Sequence, residues 1–166
     1  MKKAFTLAEI LIVVAILGIL AAIALPTFQS HVLQAREAAA KDDLRILRNV
    51  IELYAVQHNC VPPGYENGNM QNDPHPAVAT AQITNQTNVL GQYDQPGSPG
   101  YNYGPYLKVT PDNPFTTDNR IYVIMNDAPF PTEQLGDLGW LYKPQTKEVR
   151  LNWDGVDSKG VPYFDY

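Results

Sequence analysis

Residues 10–25 carry no charge and are almost wholly apolar, and they follow directly on a carboxylate, Glu9. From residue 5 to residue 25 only Thr6 and Glu9 interrupt the apolar character, and as a helix rising about 1.5 Å per residue this run is long enough to cross a bilayer. The chain is therefore constrained to an anchor and whatever that anchor carries. An ionisable residue at the edge of a membrane span is costly unless something partners it, which makes Glu9 a candidate functional residue. The plain alternative is a shallow Glu tolerated near the bilayer surface.

A secretory signal peptide is the first rival reading. It would have an apolar region of about 7 to 15 residues and a small-x-small cleavage site after it. Ala22-Ile23-Ala24 supplies such a pattern. Against it, the apolar stretch is longer, and the apolar helical pattern continues beyond Pro26. Lys2 and Lys3 precede the span while Arg36, Lys41 and Arg45 follow it, so the distribution of basic residues leaves the orientation open. Gly18, Ala21, Ala22 and Ala24 keep the helix slim, compatible with close packing of neighbouring helices. Pro26 removes a backbone donor and is expected to kink the helix as it leaves the apolar zone.

Past Pro26 the helical period persists. Ala40, Leu44, Leu47, Ile51 and Tyr54 recur at alternating spacings of four and three, forming one stripe that Ile46, Val50 and Leu53 widen. Glu37 stands four residues before Lys41, the favourable order for a helical ion pair. The pattern predicts an amphipathic helix covering a globular domain and ending near His58-Asn59, since Pro62-Pro63-Gly64 cannot continue it. Residues 62–105 are rich in Pro, Gly, Asn and Gln and read as a long loop region with a short helix over 77–82. Strands are expected over 121–125, 139–142 and 148–152, the last two as an antiparallel hairpin with one face packed and the other meeting solvent.

The chain of 166 residues has room for one domain beside the N-terminal segment. A formal charge of -5 with scattered basic residues gives no support for nucleic-acid binding. The single cysteine, Cys60, cannot form an intramolecular disulfide and reads as a partly buried thiol near a helix end. His31, His58 and His75 are too widely spaced for a local metal motif. One candidate ion site remains: Asp154-Gly155-Val156-Asp157-Ser158-Lys159-Gly160 clusters carboxylates on a tight loop, a donor type suited to calcium. Asp154 and Asp157 would be its ligands, the alternative being an Asp-Gly turn that caps the hairpin. No cofactor is otherwise indicated.

Lys2-Lys3-Ala4-Phe5-Thr6-Leu7-Ala8-Glu9-Ile10, followed by an apolar run ending in Leu25-Pro26, closely resembles the prepilin leader and N-terminal helix of type IV pilins and type II secretion pseudopilins. The resemblance implies cleavage by a membrane peptidase between Ala4 and Phe5, methylation of the new amino group of Phe5, and retention of the apolar run in the mature protein. One departure is that the residue before the cut is usually Gly, where Ala4 stands here. In this family the fifth residue of the mature chain, here Glu9, pairs with the N-terminal amine across subunits. Gly104-Pro105-Tyr106-Leu107 and Pro111-Asp112-Asn113-Pro114-Phe115 also resemble the major pseudopilin Gly-Pro-Tyr stretch and its following turn, although two turns flanking buried aromatics would serve equally well. Major pseudopilins hold calcium in their C-terminal loop, which supports Asp154 and Asp157 as ligands, while this loop lacks the denser Gly and Asp pattern of that family.

These readings define an α+β, pilin-like fold in which a long kinked N-terminal helix packs by its C-terminal half on a small antiparallel sheet. Residues 1–4 are the implied leader, 5–25 the transmembrane and fibre-core half of the helix, 26–60 its amphipathic half, and 61–166 the globular loop and sheet region. The implied function is a structural subunit of a type II secretion pseudopilus, held in the bacterial inner membrane by a single span with its C-terminal domain extracytoplasmic, then extracted into a fibre. The implied partners are the prepilin peptidase/methyltransferase, further copies of the chain, minor pseudopilins and an inner-membrane assembly platform. A type IV pilus subunit is the near alternative, and a membrane-anchored enzyme or binding module the distant ones. No local catalytic motif supports an enzyme.

Overall fold

The computed structural model describes residues 6–166. The expected leader 1–4 and the expected new terminus, Phe5, lie outside the described residues. A single helix, α1 (Leu7–Gln57), runs through Pro26 without interruption. The missing N–H of Pro26 leaves the carbonyl one turn earlier without its helical donor. Next to it the Thr27 hydroxyl donates to the Ala24 carbonyl at 2.8 Å. The chain divides into two units, one ending at Arg36 and the other Glu37–Tyr166. In the first, the large apolar side chains from Leu7 to Leu25 are exposed, as is Phe28. By length and composition this part of α1 can cross a membrane.

The second unit is an α+β domain. Its core joins one stripe of α1 to a three-stranded sheet: Ala40, Leu44, Leu47, Val50 and Ile51 lie with Trp140, Tyr142, Val149 and Leu151. Tyr54, one turn on, is buried as well. The expected widening of the stripe is only partly correct. Val50 is buried, whereas Ile46 and Leu53 are 39% and 50% exposed, because they sit to one side of the sheet-facing line.

The sheet is built from β3 (Ile121–Val123), β4 (Trp140–Lys143) and β5 (Glu148–Leu151), in the order β3-β4-β5. β4 and β5 form the expected antiparallel hairpin, with Tyr142 opposite Val149. A single turn of 3-10 helix over Pro144–Thr146 and a left-handed Lys147 close it. β3, however, pairs parallel to β4, so the sheet is mixed rather than purely antiparallel. A parallel neighbour requires a long crossover, and residues 124–139 supply it. That crossover explains a second departure from an expected solvent-facing side of the hairpin: Leu141, which alternates with Trp140 and Tyr142 and so lies on that side, is fully buried. Arg150, paired across from Leu141, carries its guanidinium 4.2 Å from the Phe130 ring of the crossing segment.

The turn at Pro111–Phe115 braces this sheet. Trp140 donates its indole N–H to the Pro111 carbonyl at 2.8 Å, and buried Asn113 donates to the Gly139 carbonyl at 2.8 Å. A side chain at Gly139 would place its Cβ 2.2 Å from the Asp118 carbonyl oxygen, so only glycine fits there.

Residues 62–105 carry α2 (Pro76–Thr84), longer than the expected helix, and a two-stranded ribbon of β1 (Gln86–Thr87) and β2 (Tyr93–Asp94). Pro76 stands at the first position of α2 and the His75 ring caps it by accepting from Ala77 N–H at 3.2 Å. Buried Gln82 organises the surrounding loop: it accepts from Gly64 N–H and donates to the carbonyls of Tyr65 and Gly91. His58, stacked on Tyr54 at 3.8 Å, meets Thr87 Oγ1 at 2.9 Å. An aperiodic segment is thus held by polar groups that find their partners inside the protein. Cys60 departs from expectation: it follows the end of α1 in a left-handed conformation and is exposed.

Candidate functional site

Two places carry the residues singled out above: the start of α1 and the C-terminal loop. At the first, Thr6 and Glu9 form a capping box. The Glu9 N–H donates to the Thr6 hydroxyl oxygen at 3.2 Å, and Glu9 Oε2 accepts from the Thr6 backbone N–H at 2.8 Å and lies 2.8 Å from its hydroxyl. Reciprocal satisfaction of two otherwise orphaned donors fixes where the helix begins. The T-x-x-E spacing before an apolar run carries this signal in the sequence, and the reading of Glu9 as an assembly residue alone overlooked it. Glu9 is the sole ionisable side chain in α1 before His31. It stands at the head of the exposed apolar surface.

At the second place, Asp154 and Asp157 are engaged separately. Asp154 Oδ1 accepts from Gln134 N–H at 2.6 Å. Asp157 is buried and accepts four hydrogen bonds: Oδ1 from the N–H groups of Lys159 and Val161, each at 2.8 Å, and Oδ2 from the Tyr166 hydroxyl at 2.8 Å and the Lys41 ammonium at 3.3 Å. The backbone N–H of Val161 above all, with the Tyr166, Lys159 and Lys41 donors, holds the carboxyl far below the usual range. Calcium requires about six to eight oxygen ligands. The donors that crowd Asp157 do not fit that requirement, and among the described residues no group of three or more His, Cys, Asp or Glu side chains is placed to hold a metal ion.

The same loop grips α1 at two further points. Glu37, buried, does not pair with Lys41 as its spacing predicted. Instead it accepts from Ser158 N–H at 2.8 Å, the Ser158 hydroxyl at 2.7 Å and the Tyr163 hydroxyl at 3.2 Å. Burial, reinforced by the Glu37 charge, pushes the Tyr163 phenol up to about 12. Arg48 donates to the carbonyls of Val149 and Tyr166. None of these three roles is visible in residue spacing, since their partners lie more than a hundred positions away in sequence.

The Gly-Pro-Tyr stretch is partly buried. Tyr106 and Leu107 donate their N–H groups to the Ile83 carbonyl, both at 3.0 Å, and the Tyr106 hydroxyl donates to Gln57 Oε1 at 2.6 Å. Tyr106 and Phe115 pack on the core, as the plain reading of buried aromatics beside turns requires.

Comparison with known proteins adds to this geometry. Residues 1–25 match the prokaryotic N-terminal methylation motif. Type II secretion system core protein G of Pectobacterium carotovorum subsp. carotovorum is 27% identical over 158 residues, covering 95% of this chain and 88% of the relative. Its counterpart in Vibrio cholerae serotype O1 is 31% identical over 117 residues, covering 70% and 68%. The type IV major fimbrial protein FimA of Dichelobacter nodosus is 40% identical over 68 residues, 41% of this chain and 40% of that protein. No solved structure gives a significant match. An N-terminal methylation motif heading an exposed apolar helix, on a domain whose helix packs against a small sheet, agrees with the similarity to core protein G over most of both chains: the protein belongs to the type IV pilin-like family of type II secretion pseudopilins.

Proposed function

We propose that the chain is a structural subunit of a type II secretion pseudopilus. The observation that carries this reading is the exposed apolar surface of α1 from Leu7 to Leu25, whose single ionisable side chain, Glu9, is positioned by a capping box within the methylation motif. The subunit is held in the inner membrane by that helix with its C-terminal domain extracytoplasmic. Prepilin peptidase removes residues 1–4 after Ala4 and methylates Phe5. The assembly platform then extracts the subunit into a fibre of further copies and minor pseudopilins.

Glu9 is proposed to partner the Phe5 amine of a neighbouring subunit. In low dielectric such a pair attracts strongly but is expensive to desolvate, so its effect is to set register more than to add stability. Pro26 relaxes the helix where the apolar zone ends. The protein does its work by assembly and not by catalysis.

Intact mass of the protein recovered from its native membrane tests the pathway. A start at N-methylated Phe5 is expected; a start at Met1, or after Ala24, overturns the reading. Glu9→Ala is expected to insert in the membrane normally yet fail to enter the fibre, read by shearing and fractionation. A type IV pilus subunit is the second reading, favoured by the similarity to FimA. Deletion distinguishes the two: loss of a pseudopilin strands secreted proteins in the periplasm, whereas loss of a pilin removes surface filaments and leaves secretion intact.

A further inference from the structure

The C-terminal loop is bound to α1 at three positions of that helix. Glu37, Lys41 and Arg48 fall within about 40° of one another at 3.6 residues per turn, so they form one polar ridge. Glu37 receives Ser158 and Tyr163, Lys41 meets Asp157, and Arg48 reaches the Tyr166 carbonyl. The ridge runs beside the apolar stripe and anchors the end of the chain.

A carboxylate has about four lone-pair sites. All four of Asp157 are taken, two by backbone N–H groups of its own loop and two by side chains. The Asp157 side chain is 1% exposed, whereas that of Lys41 is 48% exposed. The Lys41 ammonium also lies 4.0 Å from the centroid of the Tyr166 ring, the same residue whose hydroxyl donates to Asp157. The aromatic face, the carboxylate and the ammonium therefore form a closed triad. A divalent cation at Asp157 would have to displace an ammonium and a hydroxyl and would then stand beside a like charge. Asp154 is turned to a different partner, Gln134.

We propose that Lys41 serves as the resident cation of the C-terminal loop, charge-neutralising Asp157 and clamping residues 154–166 to α1 without a metal ion. The helix supplies to the loop the positive charge that a bound calcium would otherwise bring. Folding of this domain is then independent of calcium, and removing the Lys41 charge leaves a buried carboxylate with no cation.

The test is thermal unfolding of the full chain in detergent, followed by near-UV circular dichroism, in 1 mM calcium chloride and in EGTA, together with calcium titration by calorimetry. The wild type is expected to unfold at the same midpoint in both and to give no binding heat. Lys41→Met is expected to unfold about 5 °C lower in EGTA, and Lys41→Arg to stay within about 2 °C of the wild type. A calcium-dependent rise of several degrees in the wild-type midpoint, with matching binding heat, overturns the proposal. So does a Lys41→Met midpoint equal to that of the wild type. Should Lys41→Met not be recovered folded, the wild-type titration and Lys41→Arg decide the matter by themselves. The readout is domain stability, so it stands apart from fibre assembly.

Discussion

Tyr54, in the last turn of α1, and His58, which directly follows that helix, have their rings 3.8 Å apart and nearly parallel. His58 Nδ1 faces the Tyr54 carbonyl at 2.7 Å, so Nδ1 carries the proton and Nε2 accepts from the Thr87 hydroxyl. Burial, the largest influence, pulls the imidazole below its ordinary pKa. The unfolded chain then binds a proton more readily than the folded one, so stability rises with pH through this range. The thermal midpoint is expected to hold steady from pH 8 to about 7 and to fall as pH drops below about 6.5 toward the folded value. His58→Leu should flatten that slope whatever it does to the midpoint itself. A second loss belongs to Asp157. Its carboxyl is depressed, so its contribution is complete above about pH 3.9 and disappears as pH falls through the lower folded value.

Within α1 the apolar positions divide by what faces them. Leu47 is 1% exposed and packs against the sheet, whereas Leu53 is half exposed. Truncating Leu47 to Ala should cost about 2–5 kcal/mol, the transfer free energy of the lost methyl groups plus the cavity left behind. Leu53→Ala should stay within about 1 kcal/mol, since little surface there is withdrawn from water. Urea denaturation of both variants checks the contrast, and equal losses would contradict the packing described. The sheet makes a similar distinction. β5 alternates as a half-buried strand should, with Val149 and Leu151 inward and Arg150 outward, while central β4 is buried on both faces because the crossover passes over it.

Taken whole, the molecule keeps its globular core and its exposed apolar run in different units. Among the described residues, all the buried residues of the core lie in Glu37–Tyr166, so a fragment comprising residues 29–166 is expected to be soluble and to retain its near-UV circular dichroism. Sedimentation and urea unfolding of that fragment check this; a fragment that aggregates or lacks a cooperative transition would show that the apolar half of α1 supports the fold. The apolar run buries none of its large side chains and is long and apolar enough to cross a membrane.

Features that depend on neighbours in sequence were legible from the residues: the apolar run, the stripe from Ala40 to Tyr54, the end of α1 before Pro62-Pro63-Gly64, and the hairpin of Trp140–Lys143 with Glu148–Leu151. Periodicity and turn chemistry are local, and each of these rests on them. The spacing of Glu9 from Thr6 already encoded the cap. What only the tertiary structure decided is every pairing between distant positions. Glu37 turns to Ser158 rather than to nearby Lys41, and Lys41 reaches Asp157. β3 joins parallel through a long crossover, and Gln82 gathers an aperiodic loop. A buried polar group must find a partner somewhere in the fold, but which one it finds is set by how elements far apart in the chain are brought together, and spacing along the sequence carries no record of that.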